Sequence, residues 1–342
     1  MFVRSLVLFF AVFACLPAGV DARETNLVSP EAGANYLSAW KSQGGYFPGI
    51  YFTEVINAAR IAEDSLPYWV RTQAEQEMLN RKITDYASLL LNNDILAYYG
   101  HPRSPRMGIL GRYSMGELRA RLNRLAKEYE EIGGRNVITA FHIIFGTAQP
   151  RGEIGIINQD LLKTWVDFAL ENDMLVFIDH QIGRFDPVNS LRRMFPWLHY
   201  PNVHLALDPE WRTDRPMQEI GYLTAAEINR AQQVMEEYLI EHNLPGERFL
   251  MVHQFHWRMI QDRDKVDASF GRVRLVHSIA GIGAPNVKRS TYEVHGARAT
   301  NIPVKAFKLW YNTNIPGHYD NPLMTPRQVY ELSPRPYIIM YQ

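Results

Sequence analysis

The sequence predicts a (β/α)8 TIM barrel with an N-terminal helical extension, and three observations carry that prediction. From residue 94 onward, eight short runs with strand character recur, at residues 95–100, 137–145, 175–179, 203–208, 249–255, 273–279, 304–311 and 337–341. Most are separated by stretches of helical periodicity, and near-continuously apolar strands that alternate with helices imply a parallel sheet. Helix-start signals fall between the runs: Ser114-Met-Gly-Glu117, Thr224-Ala-Ala-Glu227 and Thr325-Pro-Arg-Gln328 each read as a capping box. Eight strands over about 250 residues match the usual barrel length. An open doubly wound sheet is the alternative fold, but no Gly-rich phosphate loop follows an early strand.

The N-terminal part reads differently. Residues 1–22 have the make-up of an export leader, with Arg4, an apolar run at 6–16 and the small-residue site Val20-Asp-Ala22. That run is too short to span a membrane, and no later stretch is long enough. Residues 23–93 are expected to form a helical extension packed on a barrel at 94–342. Its segment 66–91 has long helical periodicity through Trp69, Ala74, Met78, Ile83, Tyr86 and Leu90. No eighth helix is expected after the last run, so this segment is expected to fill the open seam between strands eight and one.

Composition narrows the function. Among 342 residues, 36 basic side chains balance 36 acidic ones. Nucleic-acid binders carry a basic stripe, so nucleic acid is not an expected partner. The basic residues at 112–135 alternate with acids at helical spacing and read as a solvated helix face. Cys15 is the sole cysteine and falls inside the expected leader, so the mature chain is expected to have neither a disulfide nor thiol chemistry. No cofactor is expected. The expected location is the periplasm or the outside of the cell.

The fourth run, Val203-His-Leu-Ala-Leu-Asp208, is the most informative. Alternation sets Val203, Leu205 and Leu207 on one side and His204, Ala206, Asp208 and Glu210 on the other. An apolar outer row and an inner row ending in two carboxylates suit a barrel strand, because barrel active sites lie at the C-terminal strand ends. Two carboxylates that close push their pKa values apart, which is what glycoside hydrolysis asks of its acid and its base or nucleophile. Asp208 and Glu210 are therefore the catalytic candidates, with Asp179 one strand earlier as the next carboxylate. The other strand ends supply a substrate-binding rim: Tyr99, His142, Gln181, Trp211, His253, Gln254, Trp257, His277, Lys308 and Tyr311.

Leu207-Asp-Pro-Glu210 resembles the strand-four ending of chitinase-like and muramidase-type glycoside hydrolases. That resemblance implies Glu210 as the acid, Asp208 as its orienting or stabilising neighbour, and a polysaccharide or glycan as substrate. The longer Asp-x-x-Asp-x-Asp-x-Glu string of the chitinases is absent, since Val203, His204 and Leu205 precede Ala206. The muramidases' opening Asp is also absent, since residues 95–101 carry Tyr and His in its place. The chain further looks like a group of uncharacterised exported bacterial barrel proteins with Asp-Pro-Glu-Trp and Val-His-Gln-Phe segments. Two other function classes stay open. Strand-end His142, His180, His253 and His277 beside Asp179 and Asp208 suit a metal-dependent hydrolase, although no ligand-spacing motif is present. A non-catalytic barrel that binds polysaccharide through an aromatic groove is the third reading.

Overall fold

The computed structural model describes residues 89–342, apart from 92, 243, 245 and 313–316. The leader and most of the helical extension, including segment 66–88 and its expected place at the seam, lie outside the described residues. Eight strands run parallel: β1 (Asn93–Gly100), β2 (Asn136–Ala148), β3 (Leu175–Gln181), β4 (Val203–Asp208), β5 (Arg248–Gln254), β6 (Val273–Ile279), β7 (Lys305–Leu309) and β8 (Ile338–Tyr341). Each pairs with the next in sequence, and β8 pairs back onto β1 from Ile338 opposite Ile95 to Tyr341 opposite Tyr98. The eight parallel strands thereby close on themselves, and a short antiparallel strand, Ile154–Ile156, is added at the C-terminal end of β2. This is a (β/α)8 barrel.

Helices between the strands cover the outside: α1 (Met115–Gly133), α2 (Gln159–Glu171), α3 (Pro187–Arg192), α4 (Ala225–Glu241), α5 (Pro285–Thr291) and α6 (Pro326–Tyr330). Short 3-10 turns, not an α-helix, join β5 to β6. The three capping boxes expected from the sequence open α1, α4 and α6. In each, a hydroxyl accepts the N3 amide while the N3 side chain takes the cap amide, which satisfies two otherwise orphaned donors. Along α1, Leu118, Leu122, Ala126 and Tyr129 fall on one buried face at three- and four-residue spacing.

Alternation sorts each strand into two rows. The outer row packs under the helices; in β4 it is Val203, Leu205 and Leu207, joined to α4 residues such as Ala231 and Met235. The inner row fills the barrel. Near its base the rings of Phe177, His204 and Phe249 meet, with centroids 4.5–6.1 Å apart. His204 Nδ1 accepts the Phe249 amide at 3.1 Å. Each fully buried aliphatic side chain in these rows contributes about 1.5–3 kcal/mol.

The β8/β1 seam is partly bridged by the barrel's own helices. Tyr129 of α1 and Tyr330 of α6 meet edge to face, 5.0 Å between centroids, and the Tyr129 and Tyr341 hydroxyls lie 2.8 Å apart. Below them Asp94 accepts from Arg135 Nε at 3.0 Å, from the Tyr330 hydroxyl at 2.7 Å and from Arg335. No described helix is long and apolar enough to cross a membrane.

Candidate active site

A cavity of about 820 Å³ opens at the C-terminal ends of the strands. Its wall includes Tyr99 from β1, Gln181 from β3, Asp208 from β4, His253 from β5 and Lys308 from β7, with Glu210 and Trp211 beside them. The loop after β1 is pressed against the wall: a Cβ on Gly108, whose φ is +130°, would stand 2.3 Å from the Tyr99 carbonyl oxygen. Only glycine fits there.

Glu210 reaches the cavity by a route that strand alternation does not describe. Strand pairing stops at Asp208, and Pro209, Glu210 and Trp211 form a 3-10 turn. Proline has no N–H to offer a sheet ladder, so the strand ends there. The turn still delivers both carboxyls to one wall, and they are the acidic side chains among the cavity-lining residues. Arg212 and Arg184 are engaged elsewhere: Arg212 pairs with Glu227 at 2.6 Å, and Arg184 lies 3.8 Å from Glu153.

The two carboxyls have different proton affinities. Burial pushes Asp208 up to about 6; His253 and Lys308 oppose the rise and Asp179 adds to it. Burial pushes Glu210 further, to about 8, with the Asp208 charge adding to the rise and Lys308 opposing it. At neutral pH this leaves Asp208 mainly ionised and Glu210 mainly protonated. Burial pulls the Lys308 ammonium down to about 8, against the Asp208, Asp179 and Glu210 carboxylates. Its Nζ lies 3.5 Å from the centroid of the Tyr99 ring and 4.4 Å from that of Trp310, so the cation rests on aromatic faces.

Asp179 lies beneath this wall, fully buried, and is not among the cavity-lining residues. His142 Nε2 and His253 Nε2 each stand 3.2 Å from Asp179 Oδ2. Burial alone would raise the Asp179 carboxyl, but His253 and His142 hold it well below its ordinary value. Burial pulls the His142 imidazole down to about 4, against the pull of Asp179. His142 is held between the Tyr99 ring at 4.8 Å and the Phe177 ring at 5.4 Å.

Five of the expected rim residues do not line the cavity: His142 lies buried beneath it with Asp179, and four others face elsewhere. Gln254 and His277 belong to outer rows, where His277 Nε2 lies 2.8 Å from Gln254 Oε1. Trp257 sits in a 3-10 turn, 65% exposed, and with Gln254 lines a separate hollow. Tyr311 packs against Tyr98 and Tyr341, at 6.3 and 5.1 Å between centroids, with the outer core. Alternation turns Gln254 away from its strand neighbour His253 and sets His277 in the outer row of β6, whereas Trp257 and Tyr311 lie past the ends of their strands. His180 likewise points away from Asp179, with its ring over Gly146, where a Cβ would stand 2.9 Å from it. Several cavity residues carry no periodic signal in the sequence: Arg106, Gln149, Met217, Gln218 and His318 come from loops. Their position after a barrel strand is the only sequence feature that marks them.

No known protein family matches the chain, and no curated protein matches it. Solved structures do resemble it. A chitinase from Chromobacterium violaceum ATCC 12472 aligns at TM-score 0.37 and 11% identity, over 64% of this chain and 68% of that one. A beta-glucanase from Saccharophagus degradans aligns at 0.38 and 11%, over 73% and 77%. A broad-specificity endoglucanase from Clostridum cellulovorans aligns at 0.40 and 10%, over 74% and 85%. All three of these proteins are glycoside hydrolases.

Proposed function

We propose that the chain is a glycoside-hydrolase-like enzyme that cleaves a polysaccharide or glycan by carboxylate acid/base catalysis. One observation carries the reading: Asp208 and Glu210 share a cavity wall and are held at about 6 and about 8. Glycoside hydrolysis needs that division, one carboxyl keeping its proton to donate to the leaving oxygen and the other staying anionic. Glu210 is the general acid. Asp208 is the anion that stabilises positive charge building on the sugar ring or activates the incoming nucleophile. Lys308 keeps both carboxyls from rising further and limits the repulsion between them. Trp211 and Trp310, both partly exposed at the cavity, offer aromatic surface to sugar C–H faces, and Gln181 offers hydrogen bonds to hydroxyls, while the Tyr99 ring is covered by Lys308 and His142. Asp179 lies below the lining and acts through His253, not on substrate. Export belongs to the same proposal: residues 1–22 would bring the enzyme to the periplasm or beyond, and N-terminal sequencing of mature protein should begin near Arg23.

The test is turnover across a panel of neutral, acidic and amino-sugar polysaccharides, read as new reducing ends. The expected result is catalytic release from at least one of them, abolished in Glu210→Gln. Saturable binding of a glycan with no release by the wild-type protein would replace this reading with that of a binding barrel.

A further inference from the structure

His142 in β2, Asp179 in β3 and His253 in β5 point their side chains to one place inside the barrel. One donor atom from each lies within 4.8 Å of the other two, and all three residues are no more than 2% exposed. Both Nε2–Oδ2 separations are 3.2 Å. A tetrahedral zinc site with bonds of about 2.0–2.2 Å sets its ligand atoms about 3.3–3.5 Å apart, so these two separations are near those of ligands around an ion, and the two imidazole donors lie within 4.8 Å of each other.

The hydrogen bonding gives an independent reason. Neither nitrogen of the buried His142 ring has a hydrogen-bond partner, although Nε2 stands so close to the carboxylate. The approach is off the hydrogen-bonding direction. His253 Nε2 and Asp179 Oδ2 are hydrogen-bonded to each other at 3.2 Å, which leaves His253 Nδ1 and Asp179 Oδ1 without partners. Buried polar atoms are rarely left so, and a cluster of them calls for a missing partner. An ion within the triangle would take the His142 and His253 Nε2 lone pairs and a carboxylate oxygen together, in place of the His253–Asp179 hydrogen bond.

We propose that His142, Asp179 and His253 form a binding site for one divalent transition-metal ion, beneath the floor of the cavity. Two imidazoles and one carboxylate suit zinc, manganese, iron(II) or cobalt better than calcium or magnesium, which prefer oxygen alone. His253 also lines the cavity, so the ion enters from that side, and further coordination positions are taken by water. The site does not depend on the glycosidase reading. If that reading holds, Asp179 is a ligand and the catalytic carboxyls are Asp208 and Glu210 alone.

The decisive experiment strips the full-length protein with a chelator and titrates it with Co²⁺, then competes with Zn²⁺. The expected result is visible d–d absorption that saturates at one Co²⁺ per chain, with an affinity tighter than about 1 μM, and that Zn²⁺ abolishes. His253→Ala should weaken Co²⁺ binding by more than the about 10–100-fold that loss of an outer-shell partner costs. Glu210→Gln should bind Co²⁺ as the wild type does while losing hydrolysis, which separates failure of this site from failure of the acid assignment. Wild-type protein that gives only the spectrum of hydrated Co²⁺ overturns the proposal, because that result needs no variant to fold. Stoichiometric binding that survives unchanged in both His253→Ala and Asp179→Asn overturns it equally.

Discussion

Lys308 Nζ lies over the Tyr99 ring, 3.5 Å from its centroid, and so joins β7 to β1 across the mouth of the barrel. The same ammonium lowers the pKa of both Asp208 and Glu210. One side chain thus supports the aromatic wall and sets the acidity of the carboxyls beside it.

The pH profile of kcat/KM on a responsive glycan should be a bell. Its acid limb belongs to ionisation of Asp208 near 6 and its alkaline limb to loss of the Glu210 proton near 8. The two carboxyls interact, so the limbs report the pair. A profile flat from pH 5 to pH 9 would contradict the division of roles.

Lys308→Met should move both limbs to higher pH, because the lost cation was lowering both carboxyls. At pH 6 the variant loses activity as Asp208 becomes protonated, by about 5-fold for the first unit its pKa rises and about 10-fold for each further one. The profile of the variant beside that of the wild type reads this directly. A fall in activity with no movement of the limbs would mean that Lys308 acts only by packing.

Glu210 also makes stability depend on pH. Its folded pKa lies above its unfolded value, so between about 4.5 and about 8 the folded state holds a proton that the unfolded state has released. That contribution is complete below the unfolded value and is lost as pH rises through the folded one. Glu210→Gln should remove this slope and leave the protein about 0.5–2 kcal/mol more stable at pH 8. Urea unfolding at pH 5 and pH 8 checks it; equal losses in both proteins would refute it.

Much of the fold could be read in the sequence because its signals are local. The eight strand runs and the boxes at Ser114, Thr224 and Thr325 depend on residues within one or two turns of each other. The site was less legible. Glu210 was expected on the strand face, but Pro209 moved it into a turn. Gln254 was expected at the rim beside His253, although adjacent residues of one strand face opposite ways; His277 and Tyr311 were expected there too and face the outer core. The meeting of His142, Asp179 and His253 depends on the shear of the barrel, which sets the height at which side chains from separate strands meet. The loop contributions of Met217 and His318 depend on chain paths that no periodicity describes.

A buried ion pair supports the cavity from behind. Lys288 Nζ lies 3.0 Å from Asp320 Oδ2 and donates to the carbonyls of Gly281 and Lys308, at 2.6 and 2.7 Å. Asp320 also accepts the amides of Gly283 and Trp310, at 3.0 and 2.9 Å. Asp320→Ala should cost about 3–5 kcal/mol, since it leaves a buried ammonium without its partner. It should also raise KM, because Gly281 and Trp310 line the cavity. Lys288→Met combined with Asp320→Leu should recover part of the stability but not the KM, which thermal unfolding and kinetics on the same samples would separate.

The central claim is that Glu210 donates the proton, and the most direct measurement compares wild type with Glu210→Gln on one glycan at one pH. The account predicts a fall in kcat of about 10²–10⁴-fold, with the melting temperature unchanged or higher and with glycan affinity retained. Turnover by a folded Glu210→Gln protein at the wild-type rate would contradict it.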